Sequence, residues 1–364
     1  MIRMGVVGLG KMGLSHLAMV RALPDVEVVA VVDSASYVLD VLAKYTGLAT
    51  FGELEAALAA VELDAVVIAT PTRLHAPMVR AALERGIDVF CEKPLCLTAA
   101  ESRELAALAL DRELVTQVGY HNRFVGTFGE VKRLLDLGAI GRVTHLLAEA
   151  YGPVVLRPKG STWRSRRSEG GGCLYDYAAH PLDLLSWYVG PPRAVGGTVL
   201  GSVYSQDTED EVFASLYYDD GASAQLSVNW SDESYRKMTT QITILGSQGR
   251  IHADRQELQV YLRDDASIPE GYRSGWTTVN TTELTEPVGF YLRGEEYSAQ
   301  LEAFTARIAA REVEGLNDFA SAVVTDRALE LLTIDAARGP STTDDELAPV
   351  VVVAARRGWG RRRA

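Results

Sequence analysis

Cysteine is scarce: Cys91, Cys96 and Cys173 are the three thiols in 364 residues. An odd, small number excludes a disulfide framework as the device that holds the chain together. Histidine is nearly as scarce, with six residues, and neither a CxxC nor an HxxxH spacing occurs. No metal site is therefore expected. Basic residues fall short of acidic ones, 36 against 48, for a formal net charge of −12. That balance argues against nucleic acid or an anionic membrane as a partner, since both need a basic surface. No apolar run approaches the roughly 20 residues that cross a bilayer. Residues 1–8 lack the charged and apolar regions of a secretory signal, so a cytoplasmic protein with reduced thiols is expected.

What remains is globular material, 47% hydrophobic and 23% charged, which excludes a largely disordered chain. The length suits two domains. In the first third, β-branched runs at 4–7, 26–32, 65–69, 88–91 and 114–118 alternate with amphipathic stretches at 11–22, 37–44, 54–60, 76–85 and 99–111. This alternation predicts a doubly wound parallel sheet with helices on both faces. After about residue 122 the pattern changes. A helix at 130–137 and a strand at 143–150 precede a glycine-rich break and a helix over 174–188. Strands at 212–218 and 224–230 flank Asp219-Asp220-Gly221, a hairpin signal. Further strands at 241–245 and 250–253 flank Gly246-Ser247-Gln248-Gly249, and helices follow over 295–310 and 318–337. The second half thus predicts an open, mainly antiparallel sheet with few helices. Its strands at 212–218 and 224–230 place apolar or aromatic side chains on both faces, so a symmetric partner sheet is expected to cover the free one.

Gly8-Leu9-Gly10-Lys11-Met12-Gly13 is a GxGxxG that follows the first strand and opens a helix. In that context Gly8 permits a tight turn, Gly10 lets a pyrophosphate approach, and Gly13 lets the helix pack closely. The helix N-terminus offers the phosphates free N–H groups and partial positive charge. Asp33 ends the second strand, twenty residues beyond Gly13, and is followed by Ser34 with no arginine alongside. A carboxylate there accepts hydrogen bonds from ribose hydroxyls and repels a 2′-phosphate, favouring NAD while leaving NADP possible. The plainer alternative is that Asp33 caps the next helix.

Glu92-Lys93-Pro94 follows the fifth strand, at the sheet end where ligands bind in such folds. A lysine there can bond both a ribose hydroxyl and a reacting oxygen. In the run Gly170-Gly171-Gly172-Cys173-Leu174-Tyr175-Asp176-Tyr177-Ala178-Ala179-His180, Asp176 and His180 are four apart and share a helix face. Oxidising a secondary alcohol needs a base for the hydroxyl proton, and a histidine with an ordinary pKa near 6.5 suits that task. A nearby carboxylate can bind a neighbouring hydroxyl or tune the base, and Lys93 can stabilise charge growing on oxygen. Pro181 directly follows His180; inside a helix a proline costs about 3 kcal/mol unless the helix kinks or begins there.

Together with Ala69-Thr70-Pro71-Thr72, His75, Val118-Gly119-Tyr120 and Arg123-Phe124, these motifs resemble those of the Gfo/Idh/MocA family (glucose–fructose oxidoreductase, inositol dehydrogenase, rhizopine catabolism) over residues 1–338. The resemblance implies an α/β protein: a dinucleotide-binding Rossmann domain at 1–121, then a substrate-binding and oligomerisation domain at 122–338. The remainder, 339–364, is a C-terminal extension with a turn-like acidic stretch at 340–346, an apolar stretch at 350–353 and five arginines in 356–364. It implies NAD(P)-dependent interconversion of a ring secondary alcohol and ketone on a sugar, nucleotide sugar or cyclitol, in homodimers or homotetramers packed through the open sheets. Lys93, Asp176 and His180 are implied as the catalytic set. Gly8, Gly10, Lys11, Met12, Gly13, Asp33, Ser34, Thr70, Pro71, Thr72, His75, Glu92 and Lys93 would hold the cofactor. Tyr120, Arg123, Trp163 and Arg164 would join the catalytic set around the substrate, Tyr120 near the nicotinamide. An NAD-dependent glycosidase using transient oxidation, and a non-catalytic dinucleotide sensor, are the competing functions. Arg157, Lys159, Arg164, Arg166 and Arg167 put five cations in eleven residues with no acid among them. They read either as recognition of an anionic substrate or as a solvated or paired loop.

Overall fold

The computed structural model of the chain describes residues 1–155 and 163–339. Six strands form the first sheet: β1 (Ile2–Val7), β2 (Val26–Val32), β3 (Ala49–Phe51), β4 (Ala65–Ile68), β5 (Asp88–Cys91) and β6 (Thr116–Val118). Their order is β3-β2-β1-β4-β5-β6, and every neighbouring pair is parallel. β4 and β5 are buried along their whole length, as strands covered on both faces must be. The helices Lys11–Val20, Ser36–Thr46, Leu54–Ala60, His75–Leu83 and Ala99–Asp111 make the crossovers. The chain leaves β1 for β2 on one side and returns to β4 on the other, so a crevice opens at the carboxyl ends of β1 and β4. β3 was not expected: three residues are too few for a periodic signal.

Eight strands form the second sheet: β7 (Val143–Tyr151), β8 (Ala194–Gly201), β9 (Glu211–Tyr217), β10 (Ser223–Asn229), β11 (Gln241–Gly246), β12 (Gly249–Ala253), β13 (Glu257–Leu262) and β14 (Gly275–Asn280). The order is β14-β13-β12-β11-β7-β10-β9-β8. Pairing is antiparallel except between β7 and β10. Val212, Ala214 and Leu216 of β9 and Ala224, Leu226 and Val228 of β10 alternate inward and are buried. The outward face differs from expectation. β9 presents Phe213 and Tyr217 there, but β10 presents Gln225, Ser227 and Asn229, so its two faces are not both apolar.

The last two helices return to the first sheet. Helix Glu295–Ala310 buries Leu301, Phe304 and Ile308 in one core with Met4 and Phe90, the Phe304 and Phe90 rings lying 5.9 Å apart. Helix Phe319–Arg338 supplies Asp326, whose carboxylate accepts hydrogen bonds from the Cys96 N–H at 3.1 Å and the Ser102 hydroxyl at 2.5 Å. No described helix is long and apolar enough to cross a membrane. Arg157, Lys159 and the expected extension beyond Gly339 lie outside the described residues.

A buried ion pair also ties the halves. Arg123, in the 3-10 turn His121–Phe124 after β6, donates to both carboxylate oxygens of Asp183 at 2.9 and 2.6 Å. Asp183 lies on helix Ala179–Val189. Burial pushes the Asp183 carboxyl up, and Arg123 works against it. Arg123→Met would leave that carboxylate enclosed without its cation, so urea unfolding should show a loss of about 3–5 kcal/mol. Adding Asp183→Leu to the same chain should recover much of it.

Candidate active site

The glycine turn fits a dinucleotide residue by residue. Gly8 has φ +85°, and a Cβ there would lie 2.8 Å from the Ala69 carbonyl group. At Gly13 a Cβ would sit 1.6 Å from the Gly8 oxygen, so the helix meets the turn itself. At Gly10 nothing lies within 4 Å, which leaves the approach open. The helix that starts at Lys11 has no side-chain cap and no acid in its first turn, so its N-terminal partial charge is available to an anion. Asp33 stands at the lip of the turn. Its carboxylate accepts the backbone N–H of Leu9 and, at 2.8 Å, that of Ala35. A carboxylate has room for further donors, so it can still take ribose hydroxyls. Ser34 is exposed beside it, and Lys11 and Met12 open the helix.

The expected cofactor-side residues divide into surface and support. Thr70 and Pro71 are half-buried at the crevice, while Thr72 and His75 are buried. His75 lies between two loops, one ring nitrogen 3.0 Å from the Pro94 oxygen and the other 2.9 Å from the Thr70 oxygen. It braces the loop after β4 against the loop carrying Lys93. Glu92 bonds the buried His16 ring at 2.6 Å. Burial would raise the Glu92 carboxyl, but His16 and Lys93 hold it below its ordinary value.

Lys93 reaches across to the second half. Its Nζ lies 2.8 Å from the Asp176 backbone oxygen and 2.9 Å from Asp176 Oδ1. Arg164 Nε donates to the other carboxylate oxygen at 2.8 Å, with its guanidinium 4.8 Å over the Trp163 ring. Burial alone would raise the Asp176 carboxyl; the two cations overcome it and hold it well below the usual carboxylate range. The glycine run makes this possible. A Cβ on Gly171 would lie 2.3 Å from the Arg164 oxygen, so the turn Trp163–Ser165 folds directly onto the run. Gly172 has φ +110° and meets the buried Glu209 carboxylate, which accepts the Leu174 N–H at 2.9 Å.

Pro181 neither begins nor breaks its helix, which runs through Ala179–Val189. The preceding residues, Leu174–Ala178, form a π turn. The Tyr177 carbonyl, with which the proline ring would otherwise collide, belongs to that wider turn. Slower winding also keeps Asp176 and His180 on one face. His180 is buried, and its Nδ1 is enclosed without a hydrogen-bond partner among the described residues. Burial and the Lys93 cation push the ring well below its ordinary pKa. Asp176 therefore serves Lys93 and Arg164 and makes no hydrogen bond to His180 among the described residues.

Two expected substrate contacts are placed elsewhere. Tyr120 is fully enclosed, and the charges acting on its hydroxyl are those of Asp326, Asp183 and Arg123. Arg123 is committed to Asp183. Arg123 turns inward to that carboxylate, and Tyr120 packs within the same buried core. The described part of the basic segment likewise finds acids. Arg164 pairs with Asp176, and Arg167 lies 3.4 Å from Glu209 and bonds the Asp207 oxygen at 3.2 Å. Sequence reasoning missed His121, Tyr297, Arg255 and Glu296. The His121 ring stands edge-on to His180 at 5.0 Å and is stacked on Tyr297 at 4.4 Å. Arg255 pairs with Glu296 nearby and acts on both histidines.

A family model described as an oxidoreductase family with an NAD-binding Rossmann fold matches residues 2–120, and the GFO/IDH/MocA C-terminal domain matches residues 128–252. The chain belongs to the Gfo/Idh/MocA oxidoreductase family. It is an NAD-dependent dehydrogenase acting on CH–OH groups. Among similar proteins, inositol 2-dehydrogenase of Rhizobium meliloti is 29% identical over 84% of this chain and 88% of its own length. The dTDP-3,4-didehydro-2,6-dideoxy-alpha-D-glucose 3-reductase of Streptomyces antibioticus is 31% identical over 70% of this chain and 76% of its own. The NAD complex of GenD2 from gentamicin A biosynthesis superposes with a TM-score of 0.75 at 26% identity, covering 92% of this chain and 94% of that one.

The depressed histidines set a pH dependence. With its pKa pushed well below the ordinary 6.5, the His180 ring stays neutral as pH falls through that value. The unfolded chain also binds protons below 6.5 that the buried His121 and His180 rings refuse, so stability falls with acidity there. Lys93→Met removes a cation that depresses His180. NMR titration of the His180 ring should then show its pKa moved upward; an unmoved or lower value would contradict this electrostatic account.

Proposed function

We propose that the chain interconverts a ring secondary alcohol and its ketone on a sugar, nucleotide sugar or cyclitol, with His180 as proton acceptor and Lys93 beside the reacting oxygen. The Lys93–Asp176–Arg164 cluster carries this reading. It stands at the carboxyl end of β5, where the nucleotide crevice opens, with His180 on the same helix face as Asp176. The names of the relatives, an inositol dehydrogenase and a dTDP-sugar reductase, support the substrate range.

Held by the glycine turn and Asp33, an NAD nicotinamide would supply the hydride acceptor for the carbinol carbon, or the hydride donor for the carbonyl. Lys93 Nζ carries three N–H groups. Two are engaged by the backbone and carboxylate oxygens of Asp176, and the third is left to donate to the substrate oxygen. A cation fixed there stabilises the negative charge that grows as the hydroxyl proton leaves. His180 is neutral at working pH, and its Nε2 lone pair takes that proton in oxidation and returns it in reduction. Asp176 keeps the ammonium aimed.

A panel of inositols, sugars and nucleotide sugars with NAD should give net accumulation of reduced nicotinamide with at least one class. Lys93→Ala and His180→Ala should each lower turnover by roughly 10²–10⁴-fold, while NAD binding survives His180→Ala. Near wild-type turnover in His180→Ala would move the base elsewhere.

The outward face of the second sheet also supports self-association. Val199, Phe213, Tyr217, Tyr261 and Trp276 are exposed on it, and two copies packed face to face would cover them. Sedimentation at low micromolar concentration should give two or four times 39.5 kDa; a clean monomer would defeat this assembly.

A further inference from the structure

We infer that His121 is a positioning residue for His180, orienting the proton acceptor by ring packing. The inference rests on the proposed role of His180.

An imidazole turns about a broad, two-fold terminal torsion, so something must select its orientation. Hydrogen bonding does not do so at Nδ1, which is enclosed and unpartnered among the described residues. Asp176, the nearest carboxylate along the helix, is engaged by Lys93 and Arg164. The aromatic ring against His180 is that of His121, at 5.0 Å between centroids and 67° between planes. That edge geometry is the favourable one for two aromatic rings. It places the catalytic imidazole against a wall.

The wall is itself held. His121 opens the 3-10 turn after β6, and its ring lies almost flat on Tyr297, at 4.4 Å and 20°. The Tyr297 hydroxyl is 3.4 Å from His121 Nε2, and the Arg293 guanidinium stands 5.3 Å over the tyrosine ring. Tyr297 belongs to helix Glu295–Ala310, whose Leu301, Phe304 and Ile308 are set in the first core. A column of Tyr297, His121 and His180 thus leads from that helix to the reacting atoms, with the exposed Arg293 at its outer end. Burial keeps His121 neutral, as do the neighbouring His180, Arg255, Lys93 and Arg293. It acts here as an aromatic ring rather than a charge.

The test uses the full chain loaded with NAD. His121→Ala should lower kcat by roughly 10²-fold, the cost of about 1 Å of misplacement, with the KM for NAD unchanged. His121→Phe keeps the ring and should restore kcat to within a few-fold of wild type. Independently of turnover, NMR of ring-labelled histidine should show one sharp His180 environment in wild type and His121→Phe, and a broadened or doubled one in His121→Ala. Unchanged kcat and spectrum in His121→Ala would overturn the inference. So would a His121→Phe chain as inactive as His121→Ala, since the nitrogen and not the ring would then matter. Should His121→Ala fail to fold, Tyr297→Leu removes the other side of the stack. Wild-type kcat and an unaltered His180 signal in Tyr297→Leu would overturn the inference equally. His180→Ala separates the two readings: if that chain still turns over, the function proposed for His180 fails whatever His121 does.

Discussion

The Asp176 carboxylate holds the site together. It is buried, and a buried carboxylate remains charged only if cations meet it. Lys93 comes from the end of the parallel sheet and Arg164 from the turn ahead of the glycine run, and each takes one oxygen. Three separate stretches of chain must therefore be in place at once. The loop after β5 has to reach the second half, the run Gly170–Gly172 has to let the Trp163–Ser165 turn lie on it, and the π turn has to present the carboxylate. Removing Asp176 would set two cations against each other beside the crevice. It would also release the ammonium whose direction the chemistry needs.

Behind this cluster lies buried support. His75 joins the loop after β4 to Pro94, the residue next to the lysine. Asp326 holds the next residues, through the Cys96 N–H and the Ser102 hydroxyl, from the last described helix. Burial pushes the Asp326 carboxyl up to about 7. The lysine loop is thus gripped from both halves of the chain.

What could be read from the sequence follows from how local each requirement is. The roles of Gly8, Gly10 and Gly13 are decided within a few residues, and β2, β5 and the helices Leu54–Ala60, Ala99–Asp111 and Glu295–Ala310 match their patterns end to end. Lys93 was legible because its place after β5 is set by the sheet. Its bond to Asp176, 83 positions away, was not, since no spacing records it. Tyr120 and Arg123 sit in a motif beside the site, yet Arg123 is drawn inward by Asp183, 60 positions away, and Tyr120 is enclosed in the core, which only folding brings about. Tyr297 and Arg255 arrive from the far end of the chain with no motif at all. The π turn was hidden for a related reason: Pro181 announced a disturbance but not its form.

The commitment of both Asp33 oxygens to backbone N–H groups makes cofactor choice a matter of architecture. One oxygen secures Leu9 inside the glycine turn and the other starts the bend at Ala35. A lineage drifting toward a phosphorylated dinucleotide could not simply trade this acid for a neutral residue. It would first need another acceptor for the Leu9 amide, or the turn would open as the specificity changed. The side chain expected to discriminate between dinucleotides is also a rivet, and that couples evolvability at this position to the integrity of the fold.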